Sequence, residues 1–284
     1  MIATTTTAAS LGAVIQYPGM VVQTRLLFDR AMKQLFRDKL AFVIRIVSNV
    51  VFGVLFGCIF FQVGESDYET AAQVGASFGA QVNLLISTMF GVAQSSLMEF
   101  PRDRPVFLRE YSTNHYSIFP YFLSKFSLEC ITTMIQCLSQ LLCAFFLMGF
   151  QQRFVDFLAL QFLLGIASSS IGLFIGSCVE DPSVAAEMLP ALIVPQLLFS
   201  GFFIQTNLIP LWLSWAQYLC SLVYATRLVT HYEFGECDSQ ACTGLLEANG
   251  VYQLEAYYYW IILCAIAVIF RTTAMVVLKG KASF

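Results

Sequence analysis

The sequence predicts an all-α, multi-pass membrane protein. It has six transmembrane helices, an amphipathic helix before the first, and a re-entrant segment before the last. Three observations predict this. Hydrophobic residues make up 58% of the 284 residues and charged residues only 12%, about half the ~25% of a soluble domain. The apolar residues fall into runs of about 20 or more, long enough for a hydrocarbon core of about 30 Å. The cations between those runs gather in three clusters, Arg25 to Lys39, Arg102 to Arg109, and Lys279 with Lys281. Placing all three on the cytoplasmic side satisfies the positive-inside rule and demands an even number of crossings.

Residues 1–18 are a low-complexity or linker segment, rich in Thr and Ala and without the charged start of a signal peptide. Residues 19–39 form the amphipathic helix. Leu27, Phe28, Ala31, Met32, Leu35 and Phe36 share one face, with Arg25, Asp29, Arg30, Lys33, Arg37 and Asp38 opposite. A basic amphipathic helix next to a span lies along the membrane surface.

The spans are expected at about residues 40–61, 72–98, 121–150, 157–178, 185–204 and 257–278. Arg45 sits near the start of the first and can reach the headgroups. The second carries Gln73, Gln81, Asn83, Thr88 and Gln94, which should face protein or a cavity rather than lipid. In the third, Lys125 and Glu129 are four residues apart on one helix face, so they are expected to pair. The fourth contains Gly165, Ser168, Ser169, Ser170 and Gly172, small residues that permit close helix packing. Pro190 and Pro195 predict a kink in the fifth.

Residues 205–256 are read as a re-entrant and extracellular loop. The run from Leu208 to Thr230 is apolar enough to cross, but a seventh crossing would break the charge rule, and its Pro210, Trp212, Trp215 and Tyr218 favour an interfacial position. Beyond it, Cys237 and Cys242 stand five apart in a polar loop. A disulfide fits an oxidising compartment, and two Cys without a His are too few ligands for zinc.

Between the second and third spans lies Glu99-Phe100-Pro101-Arg102-Asp103-Arg104-Pro105-Val106-Phe107-Leu108-Arg109-Glu110-Tyr111. Such a charged stretch cannot lie in hydrocarbon. Pro101 and Pro105 each remove a backbone donor and are expected to end the second helix, leaving a water-facing joint over residues 99–120. The net charge of −3 says nothing about nucleic acid, and with no basic patch alternating with aromatics no nucleic-acid partner is expected. His115 and His231 are isolated, so no metal site is expected, and no nucleophile–base pair points to catalysis.

Several of these residues carry a resemblance. Phe100 to Glu110 fits the pattern Phe-Pro-any-acidic-Arg-any-Val-Phe-any-basic-Glu. Tyr116-Ser117, Tyr121, Leu123, Lys125 and Glu129 follow, then Leu198 to Phe202, Ile209-Pro210, Trp212-Leu213, Trp215, Tyr218, Tyr224-Ala225 and Glu233-Phe234. In this order the chain resembles the membrane half of a G-subfamily ATP-binding cassette transporter, of the White and pleiotropic-drug-resistance group.

The resemblance implies an ATP-driven exporter of hydrophobic or amphipathic small molecules, whether lipid, sterol, pigment precursor or drug. It implies a coupling element at the charged joint, with Arg104 and Glu110 as polar contacts to a nucleotide-binding domain, and a second contact at the turn Glu180-Asp181. It implies a substrate cavity between two halves of a homo- or heterodimer, lined here by Thr88, Phe90, Val194 and Leu197, and a gate above it at Phe202 and Phe203. Both termini would be cytoplasmic, in the plasma membrane or an intracellular one. ATP and Mg would bind the nucleotide-binding domain, which is expected on a longer chain or a separate subunit. No GxxxxGK[ST] loop occurs in these residues, where the Gly280-Lys281 pair is followed by Ala282. The competing class is an ATP-independent channel or ion-coupled carrier, which predicts free acidic groups near mid-membrane.

Overall fold

A computed structural model describes residues 19–65, 68–112, 116–179, 181–204, 208–237, 239–251 and 254–282. The expected linker over residues 1–18 lies outside the described residues. Among those described, the secondary structure is helical throughout, in the order α1 (Met20–Arg37), α2 (Lys39–Ile59), α3 (Ala71–Ser112), α4 (Ile118–Met148), α5 (Phe154–Cys178), α6 (Pro182–Phe199), α7 (Ser221–Phe234), α8 (Gln240–Ala248) and α9 (Ala256–Ala282).

Five helices are long and apolar enough to cross a membrane, namely α2, α3 over Ala71–Glu99, α4, α5 and α9. The fifth expected span is shorter than the sequence indicates. Its helix α6 ends at Phe199, and residues 200–204 turn away from helical geometry. Both Pro190 and Pro195 are contained within it. Helix α7 is 14 residues long, about 21 Å at 1.5 Å per residue, so it cannot cross alone. Residues 221–230 of it are all buried by protein. The preceding segment leaves Leu211, Trp212, Trp215 and Tyr218 exposed, as aromatic residues at a membrane interface are placed.

The bundle is built around α5, which packs against α3, α4, α7 and α9. Phe157, Leu160, Leu164 and Ala167 are fully buried along it. The small residues do what their size allows. A Cβ on Gly172 would lie 2.9 Å from the backbone oxygen of Ala93 on α3, closer than carbon atoms tolerate. Gly172→Val is therefore expected to push α5 off α3 and destabilise the protein by about 1–3 kcal/mol, seen as a lower unfolding midpoint. Gly244→Ala, which meets open space, should leave it unchanged. At the periphery, α2 packs on α4 and only 17% of its apolar stretch is buried, against 61% for α5. The rest of its surface is a lipid-facing wall of Val43, Ile44, Val47, Val51 and Phe52.

The prolines do not end the second membrane helix. Helix α3 runs 42 residues without interruption through Pro101 and Pro105, about 63 Å at helical rise. The two missing donors are those that would bond the oxygens of Leu97 and Pro101, so the broken rungs fall on one face. Tertiary contacts hold the other faces. Pro101 is buried, and Phe107 is 1% exposed, packed against the rings of Tyr116 and Tyr121. Most of the expected joint over residues 99–120 is thus a helical extension of α3.

Outside the bundle, Cys237 and Cys242 form a disulfide within the chain, with Cα atoms 6.1 Å apart. Ser239, between them, accepts the N–H of Cys242 at the start of α8 and donates to the backbone oxygen of Tyr68 at 2.9 Å. Loops after α2 and α7 are tied together there.

Candidate functional site

The charged end of α3 is joined to three other helices. Tyr116, Ile118, Tyr121 and Phe122 at the start of α4, Phe107 on α3 and Leu278 on α9 make one buried apolar cluster, with Leu27 of α1 packed against it. Ion pairs surround this cluster. Arg30 of α1 binds Glu110 of α3 at 2.8 Å, and the Tyr116 hydroxyl donates to the same carboxylate at 2.9 Å. Burial, with the Glu110 carboxylate beside it, raises the Tyr116 phenol above its ordinary pKa, so it remains a donor. Lys125 of α4 binds Asp103 and Glu99 of α3. Deeper, Glu129 of α4 accepts from Arg271 of α9 at 2.6 Å and from Ser96 of α3 at 2.8 Å.

This corrects the expectation of a pair between Lys125 and Glu129. The two share a helix face, but each has a better partner across the bundle. Lys125 is level with the charged end of α3, while Glu129 meets Arg271, a cation nine residues inside the end of the last apolar stretch. The Arg271 guanidinium also reaches Ser169 and Ser170 of α5 and lies 4.5 Å from the centre of the Phe126 ring. Side chains of this pair are 15% and 19% exposed. A charge in that position must be paired, and removing one partner is strongly destabilising.

Of the residues expected to couple to a nucleotide-binding domain, Glu110 is engaged within the chain by Arg30 and Tyr116. The Arg104 side chain and Glu180 lie outside the described residues. Asp181 is exposed and precedes α6.

The expected substrate residues do not share one surface. Phe90 on α3 and Val194 on α6 are exposed apolar side chains. Leu197 is partly buried against the main core. Thr88 turns the other way. It is 2% exposed, its hydroxyl donates to Gln140 of α4 at 2.9 Å, and Gln161 of α5 donates to it. Thr88 is therefore part of a polar core cluster and not of an open face. Just beyond the C-terminal end of α6, Phe202 and Phe203 lie edge to face with ring centres 4.9 Å apart. Phe202 also approaches Phe78 of α3, at 6.2 Å, while Phe203 is exposed.

Sequence reasoning missed three groups that the fold makes prominent: Arg271 as the partner of Glu129, the Gln140–Gln161–Thr88 cluster, and Glu233. The last is a buried carboxylate on α7 that takes the Tyr68 hydroxyl at 2.6 Å and the N–H groups of Gln151 and Gln152 at 3.1 Å each. A signal existed for the first. Arg271 lies deep in an apolar run with Ala267 and Met275 four residues to either side, so its counter-charge had to come from another helix.

Comparison with known proteins agrees with this architecture. The ABC-2 type transporter family matches residues 22–234. ABC transporter G family member 1 of Dictyostelium discoideum is 24% identical over 287 residues, covering 93% of this chain and 35% of that protein. Protein white of Drosophila melanogaster is 29% identical over 60% of this chain and 25% of its own length. The broad substrate specificity ATP-binding cassette transporter ABCG2 of Sus scrofa is 24% identical over 89% of this chain and 41% of its own. The chain thus spans about a third of the length of the first of these relatives. Apolar helices of spanning length and a matching membrane family make this an integral, multi-pass membrane protein. The chain belongs to the ABC-2 type transporter family, as the membrane domain of a G-subfamily ATP-binding cassette transporter.

Proposed function

We propose that this chain forms the translocation path of an ATP-driven exporter of hydrophobic or amphipathic small molecules, and that the extended end of α3 is the lever by which a nucleotide-binding domain moves it. The observation that carries this reading is the unbroken α3. One continuous helix links the charged residues 99–112 to the exposed Phe90 in the apolar stretch. Force applied at one end of a helix without a hinge is delivered at the other. The ion pairs from α3 to α1 and α4 make neighbouring helices follow it.

In this reading the three cationic clusters and both termini are cytoplasmic, ATP and Mg bind the nucleotide-binding domain, and that domain rests on the end of α3 and on the turn before α6. The exposed faces of α3 and α6, with Phe90, Val194 and Leu198, meet a second half-transporter. Substrate passes between the halves and beneath Phe202 and Phe203. ATP binding shifts the population between inward-open and outward-open arrangements by binding them with different affinity. An ion-coupled carrier fits less well, because Glu129, the deep acid of α4, is already neutralised by Arg271.

Phe107→Ala in the full-length protein tests the lever. Basal ATP hydrolysis should persist, whereas stimulation by substrate and transport into vesicles should fall together. Transport at the wild-type level would reject the lever. Separately, a cysteine placed at the exposed Arg109 should react with an impermeant maleimide only from the cytoplasmic side. Labelling from outside would reject the orientation.

A further inference from the structure

Between α1, α2, α3, α4 and α9 lies a cavity of about 460 Å³. That is within the range of small-molecule sites, and the proposed translocation path does not use it. Its charges are sorted by depth. Helices α2 and α4 run parallel, with Gly53 facing Gln140 and Gly57 facing Leu147. Counting back along both helices sets Arg45 level with Thr132, and Asp38 level with Lys125. At the mouth, then, the carboxylates of Asp38, Glu99 and Asp103 outnumber the single ammonium of Lys125. One to two turns deeper, the guanidinium groups of Arg271, level with Glu129, and of Arg45 outnumber the single carboxylate of Glu129.

Three of the lining side chains have no partner among the described residues. Asp38 sits at the N-cap of α2 without making a side-chain cap bond. Arg45 lies within the field of Glu99 and Glu129, but those carboxylates take their bonds from Lys125, Arg271 and Ser96, leaving the guanidinium donors uncommitted. Gln136 is 4% exposed, lines the cavity one turn beyond Arg45, and its amide is unbonded. A guanidinium without acceptors is costly in a membrane, and the Gln136 amide is open to the cavity beside it.

We infer that the cavity holds the head of a zwitterionic phospholipid from the adjacent leaflet, its ammonium at Asp38, its phosphate at Arg45 and an ester carbonyl at Gln136. The order matches the molecule. In a bilayer the ammonium lies outermost, the phosphate below it, and the esters and chains deeper still. Val92 supplies apolar lining at the depth of Gln136, and the chains leave the cavity there for the lipid that covers the exposed apolar side chains of α2. A lipid with a single negative head would satisfy Arg45 but place its charge below an acidic mouth. A guanidinium binds phosphate through its paired N–H donors, which an ammonium cannot reproduce. This resident lipid braces the otherwise loosely covered α2 against the bundle and is not the transported substrate.

Native mass spectrometry of the full-length protein tests this, with added phosphatidylethanolamine or phosphatidylglycerol of identical acyl chains. Wild type should retain phosphatidylethanolamine about tenfold better, the equivalent of one decade in affinity. Arg45→Gln should lower that retention about tenfold. Asp38→Asn should make the two lipids equal. Should Arg45→Gln fail to fold, Arg45→Lys keeps the charge but not the fork, and it should still lose several-fold. Phosphatidylglycerol retained as well as phosphatidylethanolamine by wild type, or retention unchanged in both Arg45 variants, would overturn the inference. Excess soluble phosphorylethanolamine should not displace the lipid. Displacement would mean that the site takes a free solute, which also overturns it.

Discussion

Arg271→Met is expected to destabilise the membrane domain by about 3–5 kcal/mol, the usual consequence of leaving one member of a buried ion pair alone. The stranded group would be Glu129, which keeps Ser96 as a donor and has Arg45 within its field. Glu129→Leu should therefore be the worse of the two, because it strands Arg271 and removes a counter-charge from Arg45 at once. The double variant Glu129→Leu/Arg271→Met should recover most of the loss, since an apolar replacement of a whole buried pair is often neutral or better. Midpoints of thermal or SDS-induced unfolding for the three variants check this. If the double variant falls by the sum of the single losses, the pair is not the unit of stability.

The rescue separates stability from work. If the pair transmits motion from α4 to α9, the stable double variant should still transport poorly. If it only neutralises two buried charges, transport should return with stability. The two outcomes are read on the same preparation.

Much of the architecture was legible because the membrane imposes few choices. A bilayer requires long apolar helices, so composition and run length located the long apolar helices within a few residues. The charged stretch was recognisable for the same reason, since its carboxylates and guanidinium groups cannot be solvated by lipid. Its conformation was not legible. Proline rules describe the local backbone, and here Phe107 and the pairs of Asp103 and Glu110 hold a helix that the local rule would end. Partners across the bundle were equally hidden. Helical spacing brings Lys125 and Glu129 to one face, but it says nothing of Asp103 or Arg271 approaching from other helices.

Thr88 shows a limit of another kind, because its error was visible in the spacing itself. Residues two apart on a helix point about 200° from each other, so Thr88 and Phe90 cannot line the same cavity. The structure places Phe90 outward and Thr88 against Gln140 and Gln161. The transport face proposed for α3 would therefore continue from Phe90 by steps of four and three residues to Ile86 and Asn83, both half-buried.

Glu233→Ala is expected to be among the most disruptive single changes outside the spans. The carboxylate accepts from three donors on two loops, those after α2 and α4. Its removal takes the acceptor from the buried Gln152 N–H, at about 1–3 kcal/mol, and removes the shortest of the Tyr68 bonds, although Tyr68 keeps Gly64 and Ser77 within reach. Glu233→Gln should be milder, since its amide oxygen replaces one acceptor, although its NH₂ then faces a donor. The pH dependence distinguishes this tie from simple packing. Burial raises the Glu233 carboxyl above its ordinary pKa, against the opposing pull of the Tyr68, Gln151 and Gln152 hydrogen bonds. Above the ordinary glutamate pKa of about 4.3, the folded state retains a proton that the unfolded chain has released. The contribution to stability is complete below that value and is lost as pH rises through the folded pKa. Tyr68 stays a donor throughout, its phenol raised by burial and by the adjacent carboxylate. The unfolding midpoint of wild type should therefore fall with rising pH above about 4.3 more steeply than that of Glu233→Gln. Equal slopes would mean that the carboxylate is ionised across the whole range and that its three donors outweigh its burial.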